Sequence, residues 1–232
     1  MKAAIIAGGF GKRLKPLTQD RPKPLVPVAG KAIIEWQIEW LKKYGVDTIV
    51  VLAGYQREKM IEFLGSGTKY GVKIVYTIED EPLGTAGAIK NAEPILRTEP
   101  FLALNGDIIT NIPLDKLMKV IEGKNAVVAM ALVPLRSPYG IVEVDETGKI
   151  VRFVEKPILQ QHLINAGVYY MRPEIFDYLP EKGDIERTTF PQLAKEGKLY
   201  AGIFRDVYWR SIDTMKDVEE ASRELANGLP EV

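Results

Sequence analysis

A doubly wound α/β sheet flanked by helices is the fold this sequence predicts, on three observations. Short apolar runs bounded by turn residues recur through the first half, each too short for a helix. Segments of helical spacing separate them, so strand and helix alternate, as in sheets built with right-handed crossovers. The run Thr48-Ile49-Val50-Val51-Leu52-Ala53 is apolar without a break, as expected of a parallel strand covered on both faces.

Taken in order, Lys2 to Ala7 is the first strand, ended by the cluster Gly8-Gly9-Phe10-Gly11-Lys12-Arg13. Ala32 to Tyr44 has helical spacing, with Ile33, Trp36, Ile38, Trp40 and Leu41 available for burial, and Gly45 stops it. Trp36 and Trp40 are read as core rather than as an interface, and a homo-oligomer stays open. After the strand Thr48 to Ala53 come a helix over Glu58 to Leu64 and a strand over Lys73 to Thr77. A helix over Ala86 to Ile95 leads to a strand over Phe101 to Leu104, then a helix over Leu114 to Ile121 and a strand over Ala126 to Val133.

The second half is less regular, which makes the predicted sheet mixed. Ile141 to Val144 and Ile150 to Val154, joined by Glu146-Thr147-Gly148-Lys149, read as a hairpin. Ala166 to Met171 is a strand. A helix over Ile185 to Glu196, with Asp184 as its N-cap, precedes a strand over Leu199 to Phe204 and a last helix over Thr214 to Ala226. With no Ser/Gly linker and no fixed-period repeat, one domain over 1–232 is expected, its later elements forming a sub-layer over one end of the sheet.

Composition narrows the function. Lys+Arg and Asp+Glu both number 31, so the net charge argues for neither nucleic acid nor an anionic membrane as partner. There is no Cys, which excludes disulfides, thiolate metal sites and a cysteine nucleophile. The single His162 lies in the polar stretch QQHL and is read as an exposed loop residue. The apolar start is too short for a signal peptide, and no stretch reaches the ~20 apolar residues that span a bilayer, so a cytoplasmic location is expected.

The glycine cluster is the first candidate for chemistry. Gly8, Gly9 and Gly11 leave backbone amides free to approach an anion. Spacing rules out the two familiar phosphate loops. Leu14 stands where a dinucleotide fingerprint needs its third glycine, and Arg13 follows Lys12 where a P-loop needs Ser or Thr. A bare glycine turn is equally a tight turn, but Arg13 and Lys23 add cations, and Pro22 and Pro24 stiffen the backbone around Lys23. Two fixed cations beside an amide-rich loop suit a triphosphate.

Asn105-Gly106-Asp107 follows the buried run FLAL and sets Asp107 at a carboxyl strand end, where a carboxylate is a natural Mg²⁺ ligand; the competing reading is an Asx turn. Val154-Glu155-Lys156-Pro157 and Asn165-Ala166-Gly167 carry groups that suit sugar hydroxyls and a phosphate, though a hairpin-end ion pair explains Glu155 and Lys156 as well. In Trp209-Arg210-Ser211-Ile212-Asp213-Thr214, either Asp213 or Thr214 can be a helix N-cap.

In their order along the chain these stretches resemble the sugar-1-phosphate nucleotidyltransferases, the family that makes NDP-sugars. The matching segments are AGGFGKRLKPLT, RPKPLVPVAGKAII, EPLGTAGAIKNA, LNGD, YGIVEVD, FVEKP and NAGVYYM, covering most of residues 1 to 171. The resemblance implies a Rossmann-like nucleotidyltransferase fold, with residues 1–133 mainly serving the nucleotide and 134–232 mainly the sugar. It implies the reaction NTP + sugar 1-phosphate → NDP-sugar + pyrophosphate, with Mg²⁺ as cofactor and the sugar phosphate itself as nucleophile. Arg13, Lys23 and Asp107 are then catalytic. Ala7, Gly8, Gly9, Gly11 and the Leu83-Gly84-Thr85 turn hold the nucleotide; Gly140, Glu155, Lys156 and Asn165 hold the sugar phosphate.

One departure bears on the metal. Many relatives carry Trp-x-Asp-x-Gly-Thr, whose Asp is the second ligand; here that position is Ser211, and Asp213 comes two residues later. Two positions along a strand keep the same face, ~6–7 Å further on, so Asp213 can replace the ligand missing at Ser211 if the strand shifts or bends; Asp107 and Asp213 are the expected pair, a weakened metal site the alternative. The PLGTAGAI turn and FVEKP look most like mannose-1-phosphate guanylyltransferases, whereas Trp-x-x-x-Asp-Thr leans towards glucose-1-phosphate cytidylyltransferases. GTP with mannose 1-phosphate is placed ahead of cytidylyl, uridylyl or thymidylyl transfer. A non-catalytic nucleotide-sugar-binding subunit is the alternative from another class, opposed by the retention of Arg13, Lys23 and Asp107. A catalytic domain without the β-helix that some relatives append is also expected.

Overall fold

The computed structural model describes residues 1–230. Its centre is a seven-stranded sheet of β1 (Lys2–Ala7), β4 (Thr48–Ala53), β5 (Lys73–Ile78), β6 (Phe101–Asn105), β8 (Val128–Arg136), β11 (Ile158–Met171) and β12 (Leu199–Ile203), in the order β12-β8-β11-β6-β1-β4-β5. The pairs β1–β4, β4–β5, β1–β6 and β8–β12 are parallel. β11 runs antiparallel to both its neighbours, β6 and β8, which makes the sheet mixed.

The alternation of side chains along each strand divides the core between two faces. On one face, Ala3, Ile5 and Ala7 of β1 pack against α1 (Ile33–Lys43), α2 (Arg57–Leu64) and α5 (Leu114–Lys119), through Ile34, Ile38, Met60, Leu64 and Leu117. On the other, Ala4 of β1 and Phe101 of β6 lie in a cluster with Ile89 of α3 (Gly84–Asn91), Leu96 of α4 (Glu93–Leu96) and Leu193 of α6 (Thr189–Lys195).

Strand order places the site. From β1 the chain moves outward to β4 and β5, then returns to set β6 on the opposite side of β1. The reversal makes the carboxyl ends of β1 and β6 the switch point, where open α/β sheets bind ligands. A third cluster lies beneath that edge. It joins Ile33 and Trp36 of α1 to Ile109 of β7 (Ile108–Thr110), to Ile212 after β13 (Trp209–Ser211), and to Ala221 of α7 (Met215–Glu224).

Several elements differ from the sequence reading. The helix expected over Ala86–Ile95 starts at Gly84 and breaks at Ala92, after which Glu93 opens α4 with Pro94 in its first turn. The helix expected from Ile185 begins only at Thr189, and Asp184 does not cap it: its carbonyl accepts from the Arg187 and Thr188 amides in a turn. β11 starts at Ile158 rather than Ala166, so exposed His162 lies on a strand and not in a loop. Three short strands were not anticipated, the pair β2 (Pro27–Val28) with β3 (Lys31–Ala32), and β7, which pairs with the expected strand before the last helix, β13. The predicted hairpin forms as β9 (Ile141–Val144) and β10 (Ile150–Val154), a separate two-stranded sheet. Among the described residues no helix is long and apolar enough to cross a membrane.

Candidate active site

A cleft opens at the carboxyl ends of β1, β5 and β6. One lobe, of about 290 Å³, is lined by Ala7, Gly8, Gly9, Lys23, Glu79, Gly84, Thr85, Asp107 and Asp184, among others. A second lobe, of about 310 Å³, is lined by Gly9, Phe10, Gly11, Lys12, Arg13, Lys23, Asp107 and Asp213. Lys23 and Asp107 belong to both, so the lobes form one continuous site.

Three segments deliver the charged centre of the cleft. Lys23 begins a single 3₁₀ turn whose Pro24 and Leu25 are buried, which fixes its backbone. Asp107 occupies the turn between β6 and β7, and Asp213 follows β13 just before α7. Lys23 Nζ donates to Asp107 Oδ2 at 2.6 Å and to Asp213 Oδ1 at 2.9 Å, so one ammonium joins both carboxylates. Arg13 donates to the same Asp213 oxygen at 2.8 Å, while the Ser211 hydroxyl donates to Oδ2 at 2.5 Å. Burial pushes the Asp213 carboxyl up, but Ser211, Lys23 and Arg13 outweigh it and hold the group below the usual carboxylate range.

The backbone beneath these residues is cross-braced. The Ile212 amide donates to the Asp107 carbonyl at 2.8 Å, tying the two acidic segments together, and the Gly106 amide donates to Ile6 O at 2.9 Å. Gly106 has no room for a side chain, since a Cβ there stands 2.6 Å from that carbonyl. Thr214 caps α7 and shares a capping box with Asp217, whose carboxylate also accepts from the Asp213 amide at 3.1 Å. The glycine loop turns at Gly11, whose φ of 57° lies in the left-handed region, and the Thr18 hydroxyl closes the turn onto Gly11 O at 2.9 Å.

The other predicted residues divide into two groups. Gly84 and Thr85 line the first lobe, but the Thr85 hydroxyl is already engaged, donating to Glu186 and accepting from the Ile185 amide, both at 2.8 Å. Leu83 does not line it; its amide donates to Glu79 Oε2 at 3.2 Å. Neither lobe is lined by Gly140, Glu155, Lys156 or Asn165. Glu155 lies against Gly140, with Oε2 3.0 Å from where a side chain would begin, and 3.8 Å from Lys156 Nζ through its other oxygen. Asn165 is held at both ends, its Oδ1 accepting from the Gly167 amide and its Nδ2 donating to the Tyr169 hydroxyl, each at 2.8 Å.

Sequence reasoning missed Glu79. It follows β5 directly, and its carboxylate rests against both Gly8 and Gly54. Burial raises its pKa, opposed by the hydrogen bond from the Leu83 amide. Its place one residue past β5 is the one hint in the sequence; that it faces the glycine loop is a tertiary contact.

For a metal, the donor set fits a hard divalent cation. Two carboxylates converge on one positive centre beside an anion-sized cleft, and Mg²⁺ commonly takes one or two carboxylates with substrate oxygens completing its shell. Among the described residues no group of three or more His, Cys, Asp or Glu side chains gathers as an all-protein metal site.

Comparison with known proteins places the chain in a family. The Nucleotidyl transferase family model matches residues 2–228. A mannose-1-phosphate guanyltransferase of Yarrowia lipolytica is 42% identical over 225 residues, covering 94% of this chain and 62% of that protein. Mannose-1-phosphate guanylyltransferase 1 of Arabidopsis thaliana is 42% identical over 226 residues with the same coverage. The chain thus spans about three fifths of the length of the curated relatives it matches. Among solved structures, HddC from Yersinia pseudotuberculosis matches with a TM-score of 0.77 at 29% identity, over 96% of this chain and 98% of that one. HddC has also been solved complexed with GMP-PN.

Proposed function

The chain belongs to the nucleotidyl transferase family, and from that premise we propose that it joins GTP to a hexose 1-phosphate, mannose 1-phosphate first, with release of pyrophosphate. The observation that carries the reaction class is the Lys23 bridge, one ammonium between two carboxylates beside a loop of backbone amides. Such a site suits the neutralisation and positioning of phosphates.

In this reading an oxygen of the sugar phosphate attacks the α-phosphorus in line. The new O–P bond forms as the bond to the β-phosphate oxygen breaks, and that electron pair leaves with pyrophosphate. The protein contributes position and charge, as in other phosphoryl transfers. The amides of Gly8, Gly9 and Gly11 hold the triphosphate, Lys23 meets the α-phosphate, and Arg13 neutralises the departing pyrophosphate. Asp107 and Asp213 would hold Mg²⁺, which as a Lewis acid draws charge from the phosphate oxygens when bound. Gly140, Glu155 and Asn165 hold the sugar, with Lys156 at its phosphate.

Glu79 supports guanine as the base. The Watson–Crick edge of guanine presents two adjacent donors, N1–H and N2–H, which match the two acceptor oxygens of an ionised carboxylate. Uracil and thymine offer one donor between two carbonyl acceptors, and the acceptors repel a carboxylate. Cytosine and adenine each place an acceptor beside their one amino donor. The names of the relatives point the same way.

The test is pyrophosphate release from GTP and mannose 1-phosphate with and without Mg²⁺. Turnover that requires the cation is expected. Tight GDP-mannose binding with no pyrophosphate released under any condition would assign the chain to the non-catalytic class.

A further inference from the structure

Gln37 is the buried polar residue of α1, with only 1% of its surface exposed. It stands between Ile33 and Leu41, one turn away on either side, and both are fully buried. Helical spacing therefore puts an amide where an apolar side chain is expected, and a buried amide is tolerated only when its hydrogen bonds are made.

Both donors of the Gln37 amide are spent on a single turn. Nε2 donates to Asn105 O at 2.9 Å and to Ile108 O at 2.9 Å. These carbonyls flank Gly106 and Asp107, so the side chain clamps the turn carrying Asp107 from beneath. Its own Oε1 is buried and has no partner among the described residues. An unpaired buried acceptor costs free energy that an apolar side chain would avoid. The residue thus accepts a local penalty in return for holding one turn.

We propose that Gln37 is a positioning residue for the nucleotidyl transfer site, fixing the Asn105–Ile108 turn so that the Asp107 carboxylate faces the cleft at the distance its cation requires. This rests on Asp107 being a cation ligand. Gln37 touches neither substrate nor metal and acts through the backbone on both sides of Asp107. The other two braces of the turn, Gly106 N to Ile6 O and Ile212 N to Asp107 O, leave the Asn105 and Ile108 carbonyls to Gln37. Partners of this kind, one step removed from a metal ligand, typically contribute 10–100-fold to metal affinity or activity.

The experiment compares Gln37→Met, which keeps length and removes both donors, with Ile34→Val on the same helix, which loosens the core and leaves both Gln37 hydrogen bonds in place. Mn²⁺ serves as the probe, titrated into full-length protein held in excess over GTP and followed by loss of the free-ion EPR signal. Gln37→Met is expected to weaken Mn²⁺ binding at least about tenfold and to raise the Mg²⁺ needed for half-maximal turnover, with the KM for sugar phosphate little changed. Amide hydrogen exchange of Gly106, Asp107 and Ile108 should quicken in the same variant. Ile34→Val should lower Tm and leave Mn²⁺ binding as in the wild type. Wild-type Mn²⁺ affinity in Gln37→Met, or a loss matched by Ile34→Val, would overturn the proposal. If Gln37→Met does not fold, Gln37→Leu is read by the same criteria. A wild-type protein that turns over GTP yet binds no Mn²⁺ would instead remove the cation from Asp107, and the proposal with it.

Discussion

Lys23 and Asp213 lie 190 positions apart in the chain, yet the Lys23 ammonium stands 2.9 Å from Asp213 Oδ1 and, on its other side, 2.6 Å from Asp107 Oδ2. A residue from the first loop of the sheet thereby joins an acid from the β6–β7 turn to one from the start of the last helix. The arrangement makes distinct demands on each partner.

Replacing Lys23 by Met leaves two carboxylates facing one another without their shared cation, and removes the charge proposed for the α-phosphate. The kcat for pyrophosphate release should fall by about 10²–10³, the range seen when a single charge-stabilising group is deleted. The KM for GTP should change much less. A loss confined to KM would assign Lys23 to binding alone.

Asp213 and Ser211 separate by role. Asp213→Asn should lower kcat by ~100-fold or more and raise the Mg²⁺ requirement if Asp213 is the second acidic ligand proposed above. Ser211→Ala removes only a hydrogen bond to Asp213 Oδ2 and should cost about fivefold, the equivalent of ~1 kcal/mol. Near-wild-type activity in Asp213→Asn would take it out of the site.

Glu79 is tested by the bases it accepts. Glu79→Gln turns one acceptor into a donor, which mismatches guanine and matches the donor–acceptor edge of uracil. The kcat/KM for GTP should drop by about 10–100-fold, while that for UTP or dTTP holds or rises.

The same substitution has a pH signature. Burial raises the folded-state pKa of Glu79, so its contribution to stability is present below the unfolded carboxylate pKa of roughly 4.3 and is lost as pH rises through the raised folded value. Glu79→Gln should therefore gain in Tm over the wild type at pH 7, with the gain shrinking as pH approaches 4. A Tm difference independent of pH would show that the carboxylate pays no desolvation cost.

Asn165 is held rigid by Gly167 and Tyr169 and is proposed to meet the sugar. Asn165→Ala should raise the KM for mannose 1-phosphate by about tenfold and leave the KM for GTP unchanged, as expected for loss of a hydrogen bond made only to that substrate. Tyr169→Phe should move the same constant in the same direction by less.

Much of the lining of this candidate site was legible in the sequence, because it falls in short motifs at strand ends. GGFGKR, LNGD and the prolines around Lys23 mark themselves by residue type, and β1, β4 and β6 by unbroken apolar runs. The elements that escaped did so for physical reasons. β7 has three residues, too few to show a period, and pairs with β13 some hundred positions further on. The first half of β11 is polar and exposed, so no periodicity marks it. Asp184 has the residue type of an N-cap, but a turn intervenes before α6 and its side chain lines the cleft instead. Glu79 and Gln37 carry no motif. One is an acid in the acidic stretch IEDEP, the other an amide inside an amphipathic helix, and only tertiary contacts show what each faces.

Pyrophosphate release measured with Mg²⁺ across GTP, CTP, UTP, dTTP and ATP, each against mannose 1-phosphate and glucose 1-phosphate, decides between the substrate pairs. GTP with mannose 1-phosphate is expected to give the highest kcat/KM, ahead of every pyrimidine nucleotide by at least about tenfold. Highest turnover with CTP, UTP or dTTP would contradict the assignment of Glu79 to guanine, and no turnover with any pair would contradict nucleotidyl transfer itself.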